Sequence, residues 1–168
     1  MKNLFYLALL FSAFIVISCD QDPCKDVVCG DEGTCLEGIC DCNFGWEKDS
    51  AGLCNVAWAD KFVMNNIPTS DSCTAGSVNA GVFVYNSAIT KLSATTLGSF
   101  NLFGYGSSNT IELDVTSSAD VSINYTDVAG RVFTGTGSKV GNVLTIDAIV
   151  TFPNNGGADT CVTTLTYQ

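Results

Sequence analysis

The chain contains no histidine, only 7 basic residues, and no 12-residue stretch in which apolar side chains keep a helical period. The missing imidazole removes the commonest general base, the Ser/His and Cys/His nucleophile pairs, and any nitrogen ligand for zinc. Few cations against 17 Asp and Glu leave a field that repels phosphate backbones, so no nucleic acid is expected as a partner. Without a helical period the fold must be built from strands. The length, 168 residues, suffices for one ordinary domain or for a small module plus a compact one.

The chain is rich in cysteine, with nine. In an exported protein such usage reads as disulfides rather than reactive thiols or metal ligands, and the first residues supply the export reading. Met1-Lys2-Asn3 carries one positive charge, Leu4 to Ile17 is almost wholly apolar, and Ser18 is a small residue before Cys19. That order is a cleavable secretory signal over residues 1–18, too short for a membrane span, which needs about 20 apolar residues. With Lys2 lost, 17 acidic residues face 6 basic ones, a net of 11 negative charges in the mature chain.

Val16-Ile17-Ser18-Cys19 resembles the bacterial lipobox. The resemblance implies that Cys19 becomes the first mature residue, carries diacylglycerol on its sulfur and a further acyl chain, such as palmitate, on its amine. Each buried methylene contributes about 0.8 kcal/mol, so two or three chains hold a protein to a membrane. Removing Cys19 leaves eight cysteines, an even number. Residues 19–23 then form a lipidated acidic tether in which Asp20-Gln21-Asp22 satisfies two conflicting family rules, retention at the inner membrane and display on the outer surface. The extracellular character of the next segment favours a lipid-anchored protein of the outer membrane, displayed at the cell surface.

Between Cys24 and Cys54 the cysteines are separated by four, five, four, one and eleven residues, with Gly33-Thr34-Cys35 in the second loop and Cys40-Asp41-Cys42-Asn43-Phe44-Gly45-Trp46 near the end. On arithmetic alone six cysteines allow about 15 pairings. The pattern resembles an EGF-like domain over residues 24–54, which implies Cys24 with Cys35, Cys29 with Cys40 and Cys42 with Cys54. So short a segment cannot bury enough apolar surface to stay folded without crosslinks. Glu47 to Leu53 is longer than the family's usual final loop, with Gly52 displaced toward Cys54. Nine acidic residues lie between Asp20 and Asp49, which suggests calcium, but the calcium-binding subclass has an acidic residue or Gln where this chain has Pro23. The reading adopted is a solvated acidic spacer with no metal and no cofactor.

From residue 55 to 168 the alternation has period two. Ile111, Leu113 and Val115 alternate with Glu112 and Asp114; Val121, Ile123 and Tyr125 with Ser122 and Asn124; Leu144, Ile146 and Ala148 with Thr145 and Asp147. Further strands are expected at Lys61 to Asn65, Gly81 to Tyr85, Leu97 to Phe103, Val132 to Ser138 and Cys161 to Tyr167, with turns at 117–120, 127–130, 141–142 and 154–157. The fold class is therefore mainly β: a disulfide-rich module followed by seven to nine antiparallel strands in a meander, closed as a barrel or a sandwich. Pairing Cys73 with Cys161 would fasten the terminal strands and remove exposed edges. Ser70-Asp71-Ser72-Cys73, Thr134 to Ser138, Gly141 to Ile146 and the last cysteine strand resemble small β domains of bacterial surface lipoproteins, which implies a lipocalin-like or related barrel with no assigned chemistry.

The function expected is a membrane-anchored, non-catalytic binding or adhesion module for an unidentified glycan or protein. The alternative is a lipocalin-like carrier of a small apolar ligand, admitted at a rim formed by the glycine-rich stretch Gly98 to Gly106. Trp58, Phe62, Phe83, Phe100, Phe103 and Tyr105 are the candidate contact rings, each with core packing as its ordinary role. No catalytic residue is expected: Glu112 and Asp114 share a strand face as solvated alternation would place them. The sequon Asn124-Tyr125-Thr126 reads as coincidence, and Asp49-Ser50-Ala51 resembles a bacterial O-glycosylation motif on only three residues.

Overall fold

The computed structural model describes residues 22–74, 80–105, 110–154 and 156–168. The signal expected over residues 1–18 and the lipid-bearing Cys19 lie outside the described residues. The first module holds two small antiparallel hairpins, β1 (Gly33–Leu36) with β2 (Ile39–Cys42), and β3 (Trp46–Lys48) with β4 (Cys54–Ala57). Bridges Cys24–Cys35, Cys29–Cys40 and Cys42–Cys54 tie them together. Among these residues only Cys29, Gly45, Cys54 and Ala57 are buried, so crosslinks rather than an apolar core hold the module. The second hairpin runs past Cys54 to Ala57, and the chain turns straight into a single 3-10 turn at Trp58–Lys61.

Eight strands follow: β5 (Met64–Thr74), β6 (Gly81–Lys91), β7 (Thr96–Phe100), β8 (Thr110–Val115), β9 (Asp120–Thr126), β10 (Val132–Val140), β11 (Val143–Thr151) and β12 (Ala158–Thr166). Each pairs antiparallel with the next and β12 pairs with β5, so the meander closes as a barrel and not as a sandwich. Cys73 and Cys161 face each other across that closing seam and are bonded.

Period-two alternation sends Ile67, Ile89, Leu97, Ile111, Leu113, Val121, Ile123, Phe133, Leu144, Ile146 and Leu165 inward, where they are essentially inaccessible to water. Gly135 and Gly137 take inward positions on β10, where there is no room for a side chain. A Cβ on Gly135 would lie 2.3 Å from the Asp147 carbonyl oxygen.

The strand expected over Lys61 to Asn65 is displaced: those residues leave the 3-10 turn, and the first barrel strand starts at Met64, bulges before Ile67 and continues to Thr74. The cause is that Thr69 and Asp71 are inward residues, so the inner face of β5 is partly polar and carries a weak apolar signal. The strand expected over Leu97 to Phe103 ends at Phe100, because Asn101 and Phe103 take left-handed backbone angles that break the ladder.

The two parts pack closely. The Gly45 carbonyl accepts from the Trp58 amide at 2.8 Å and the Ala94 carbonyl from Ala59 at 3.1 Å. Ion pairs Lys61–Glu47 and Lys91–Asp60 lie alongside, and Lys91 sits over the Trp46 ring. Gly45 has φ +90°, and a Cβ there would stand 2.4 Å from the Thr95 methyl. The module therefore covers the barrel end that carries the β6–β7 loop. Phe62, Tyr167 and Lys139 stopper the same end: the Tyr167 hydroxyl donates to the Phe62 carbonyl at 3.0 Å, and the Lys139 ammonium lies 4.0 Å from the Tyr167 ring and donates to the Lys61 carbonyl.

Candidate functional site at the free end of the barrel

The opposite end is where β5, β7, β9 and β11 finish and β6, β8, β10 and β12 begin. There β7 stops short of β6: the two pair only from Ala88 to Lys91, so Gly81 to Ser87 run on along β5 with no β7 beside them. β8 and β9 likewise pair only at Asp114–Ser122 and Val115–Val121. The chain after β7 fills part of this gap. Asn101, at φ +56°, turns the backbone inward, Leu102 and Phe103 are buried, and Gly104, at φ +70°, brings it out again. The Asn101 side chain donates to the Asn86 carbonyl at 3.0 Å, tying this insert to the exposed part of β6. Two non-glycine residues in the left-handed region within three positions are a local strain that persists only where surrounding packing fixes it.

Rings provide that packing. Phe103 stacks on Phe133 at 5.8 Å, and Tyr105 meets Phe133 edge-on at 5.6 Å and Phe152 at 6.3 Å. The Arg131 guanidinium lies 4.1 Å from the Tyr105 ring centre. It is held there by Asp127, which accepts from Arg131 Nε at 2.6 Å and from the backbone amides of Ala129 and Arg131 at 2.9 Å each. Burial would push the Asp127 carboxyl up, but the Arg131 hydrogen bonds and charge outweigh it and hold the group below the ordinary carboxylate value.

Between the insert and the bare part of β6 opens a pocket of about 370 Å³ whose walls are Cys73, Phe83, Tyr85, Asn101, Phe103 and Tyr105, with Val84 and Gly104 at the edge. Its size falls within the usual range for small-molecule sites. Behind Tyr85 lies Asp71, one per cent exposed, whose carboxylate accepts from the Tyr85 and Thr163 hydroxyls. Burial raises the Asp71 pKa above its ordinary value, against the lowering effect of those two hydroxyls. Burial and the neighbouring carboxylate raise the Tyr85 hydroxyl as well, so it stays a donor. Across the Cys73–Cys161 bridge, on β12, Asp159 is fully buried and neither carboxylate oxygen has a hydrogen-bond partner among the described residues.

No family model and no curated protein matches the chain. Among solved structures it is similar to a Bacteroides ovatus protein of unknown function, at 15% identity and a TM-score of 0.43, over 62% of this chain and 40% of that one. It is also similar to a Bacteroides fragilis chain called a "putative outer membrane protein", at 14% identity and a TM-score of 0.42, over 67% of this chain and 53% of that one. The chain thus spans about half the length of these relatives or less.

Of the candidate rings, Phe62 and Phe103 are buried, Trp58 is half-buried against the core at the covered end, and Phe83 and Tyr105 reach the pocket. Phe100 ends β7 half-buried. Of the glycine-rich stretch, Gly98 to Phe100 belong to β7, Asn101, Phe103, Gly104 and Tyr105 form one wall of the pocket, and Gly106 lies outside the described residues. Glu112 and Asp114 are exposed on the outer face of β8. Ser50 is exposed in a turn that Asp49 braces by accepting from the Ala51 and Leu53 amides at 2.8 and 3.0 Å. Among the described residues no three acidic or cysteine side chains converge as a metal site. The inward acids Asp71 and Asp159 and the Asp127–Arg131 clamp were not recognised from sequence. The Asp-x-x-Gly turn before Arg131 is a usable signal for the clamp, whereas an inward Asp in a strand looks like any outward one.

Proposed function

We propose that this chain is a surface-displayed lipoprotein of the outer membrane, anchored by acyl groups on Cys19, in which an EGF-like spacer holds a non-catalytic binding barrel away from the bilayer. The observation that carries the reading is polarity along the barrel axis. The crosslinked module, which leads back toward Cys19, covers one end, and the pocket opens at the other. Three bridges and two hairpins between Cys24 and Ala57 support the EGF-like assignment, and a stapled unit of that size suits a spacer. The carrier reading is narrowed by the filled interior: the inward leucines and isoleucines leave the rim pocket as the place for a ligand.

The test is protease treatment of intact cells carrying the parent chain or Cys19→Ala, followed by mass spectrometry of the amino terminus. Degradation of the parent, with acyl mass on Cys19, and release or internal retention of the variant support the reading. Full protection of the parent, or an unmodified Cys19, overturns it.

A further inference from the structure

The first part of β6, Gly81 to Ser87, is paired on one side only. β5 lies along it, but among the described residues no strand lies on its other side, because the β7 ladder begins at Ala88. In an antiparallel strand the N–H and C=O of one residue point to the same neighbour, and those of the next residue point to the opposite one. The Asn86 carbonyl accepts from the Asn101 side chain and so points away from β5. Val82 and Val84 share its parity, and their amides and carbonyls therefore face the bare edge, with no ladder partner among the described residues.

Exposure agrees with this. Val82 is 69% exposed, Phe83 43% and Val84 80%, although successive side chains of a strand point to opposite faces. Sheet proteins ordinarily blunt such an edge with lysine, proline, a bulge or a covering segment. Gly81 to Ser87 holds no charge and no proline, and its register with β5 runs without a bulge. A row of donors and acceptors at strand spacing is matched by another polypeptide backbone, which a sugar or an acyl chain does not reproduce. On an added strand the side chains opposite Phe83 and Tyr85 would share their face and enter the pocket bounded by those two rings and Phe103. A second copy of the chain is a poor occupant, since each copy carries a formal net charge of -10 and the repulsion keeps copies apart.

We propose that the bare edge of β6 is a strand-addition site, at which an extended segment of a foreign protein pairs with the backbone of Val82 and Val84 and lodges an apolar side chain in the adjoining pocket. This deepens the proposed function by naming the partner class, and it rests on the free end being the binding end.

The experiment is selection of a phage-displayed library of random heptapeptides on the full-length protein in a neutral maltoside detergent, followed by fluorescence anisotropy with the most enriched peptide made synthetically. The enriched sequences should alternate apolar and polar residues, as an added strand requires. N-methylation of every second amide of the peptide should weaken binding at least about tenfold in one phase, where the amides face β6, and little in the other. Val84→Pro removes an edge-facing N–H without touching the β5 ladder and should weaken binding likewise, whereas Val84→Thr, which keeps that N–H, should bind like the parent. Melting curves accompany both variants, and the methylated peptides carry the decision if Val84→Pro fails to fold. Binding that a folded Val84→Pro does not weaken overturns the edge assignment while leaving a peptide-binding barrel. No enriched sequence, enriched sequences without alternation, equal binding of the two methylated forms, or sedimentation showing the parent to be a dimer that Val84→Pro disperses overturns the inference outright. Anchoring and display are read separately, by the protease treatment of intact cells.

Discussion

Replacing both Cys73 and Cys161 with alanine tests how the barrel is held shut. The bridge spans a sequence separation of 88 and joins the first barrel strand to the last. In the chain-entropy account a crosslink removes about 2.1 plus 1.5R ln n cal/mol/K from the unfolded chain, which for this loop is roughly 15 cal/mol/K, or about 4.6 kcal/mol at room temperature. Each bridge of the cysteine-rich module spans only 11 or 12 residues, for which the same relation gives about 2.8 kcal/mol. Both sulfurs are buried, so their removal adds roughly 1 kcal/mol of lost packing. Domains of this size are stable by about 5–15 kcal/mol, so the double variant should lose a third of its stability or more. Urea unfolding followed by circular dichroism measures this directly: the midpoint should drop sharply, and the slope should rise as the uncrosslinked chain expands further. A loss under about 1 kcal/mol with an unchanged slope would refute the argument, because the β12–β5 ladder would then be closing the barrel unaided.

Asp127→Ala should cost about 3 kcal/mol, since it strands the half-buried Arg131 and two backbone amides, and urea midpoints together with amide exchange in the β9–β10 turn will show it. Because burial raises the pKa of Asp71 in the fold, its contribution to stability is fully present below the ordinary value of 3.8 and is lost as pH rises through the folded value. The difference in unfolding free energy between parent and Asp71→Asn should therefore move against the parent across that window, and a flat difference contradicts the burial argument. Gly135→Ala puts a methyl group onto the Asp147 carbonyl and should destabilise by about 1–3 kcal/mol in thermal melts, whereas Gly52→Ala, which meets no neighbouring atom, bears only the strain of its positive φ.

The strands with apolar inner faces were legible in the sequence. Ile111, Leu113 and Val115, like Leu144, Ile146 and Ala148, alternate with polar residues, and the barrel uses them as that alternation implies. β5 was not legible to the same degree, because its inward row reads Ile67, Thr69, Asp71, Cys73, and a half-polar row has no period-two hydropathy to detect. The same polarity hides the two inward acids. Asp71 and Asp159 face inward only because of register, a property of pairing partners far apart in the chain. The insert at Asn101 to Gly104 left a fainter trace: asparagine and glycine tolerate the left-handed backbone angle, but Phe103 does not advertise it, and its conformation is set by the rings it meets.

On the export proposed for this chain, the closing seam sets the order of events. A barrel whose first strand pairs with its last cannot shut until Cys161 has emerged, and Cys73 waits through all the intervening chain for its partner. Six other half-cystines, Cys24 to Cys54, emerge before it. Correct oxidation therefore depends on those six finding one another while Cys73 is still single. A thiol trapped from the first module would leave the cylinder without its clasp.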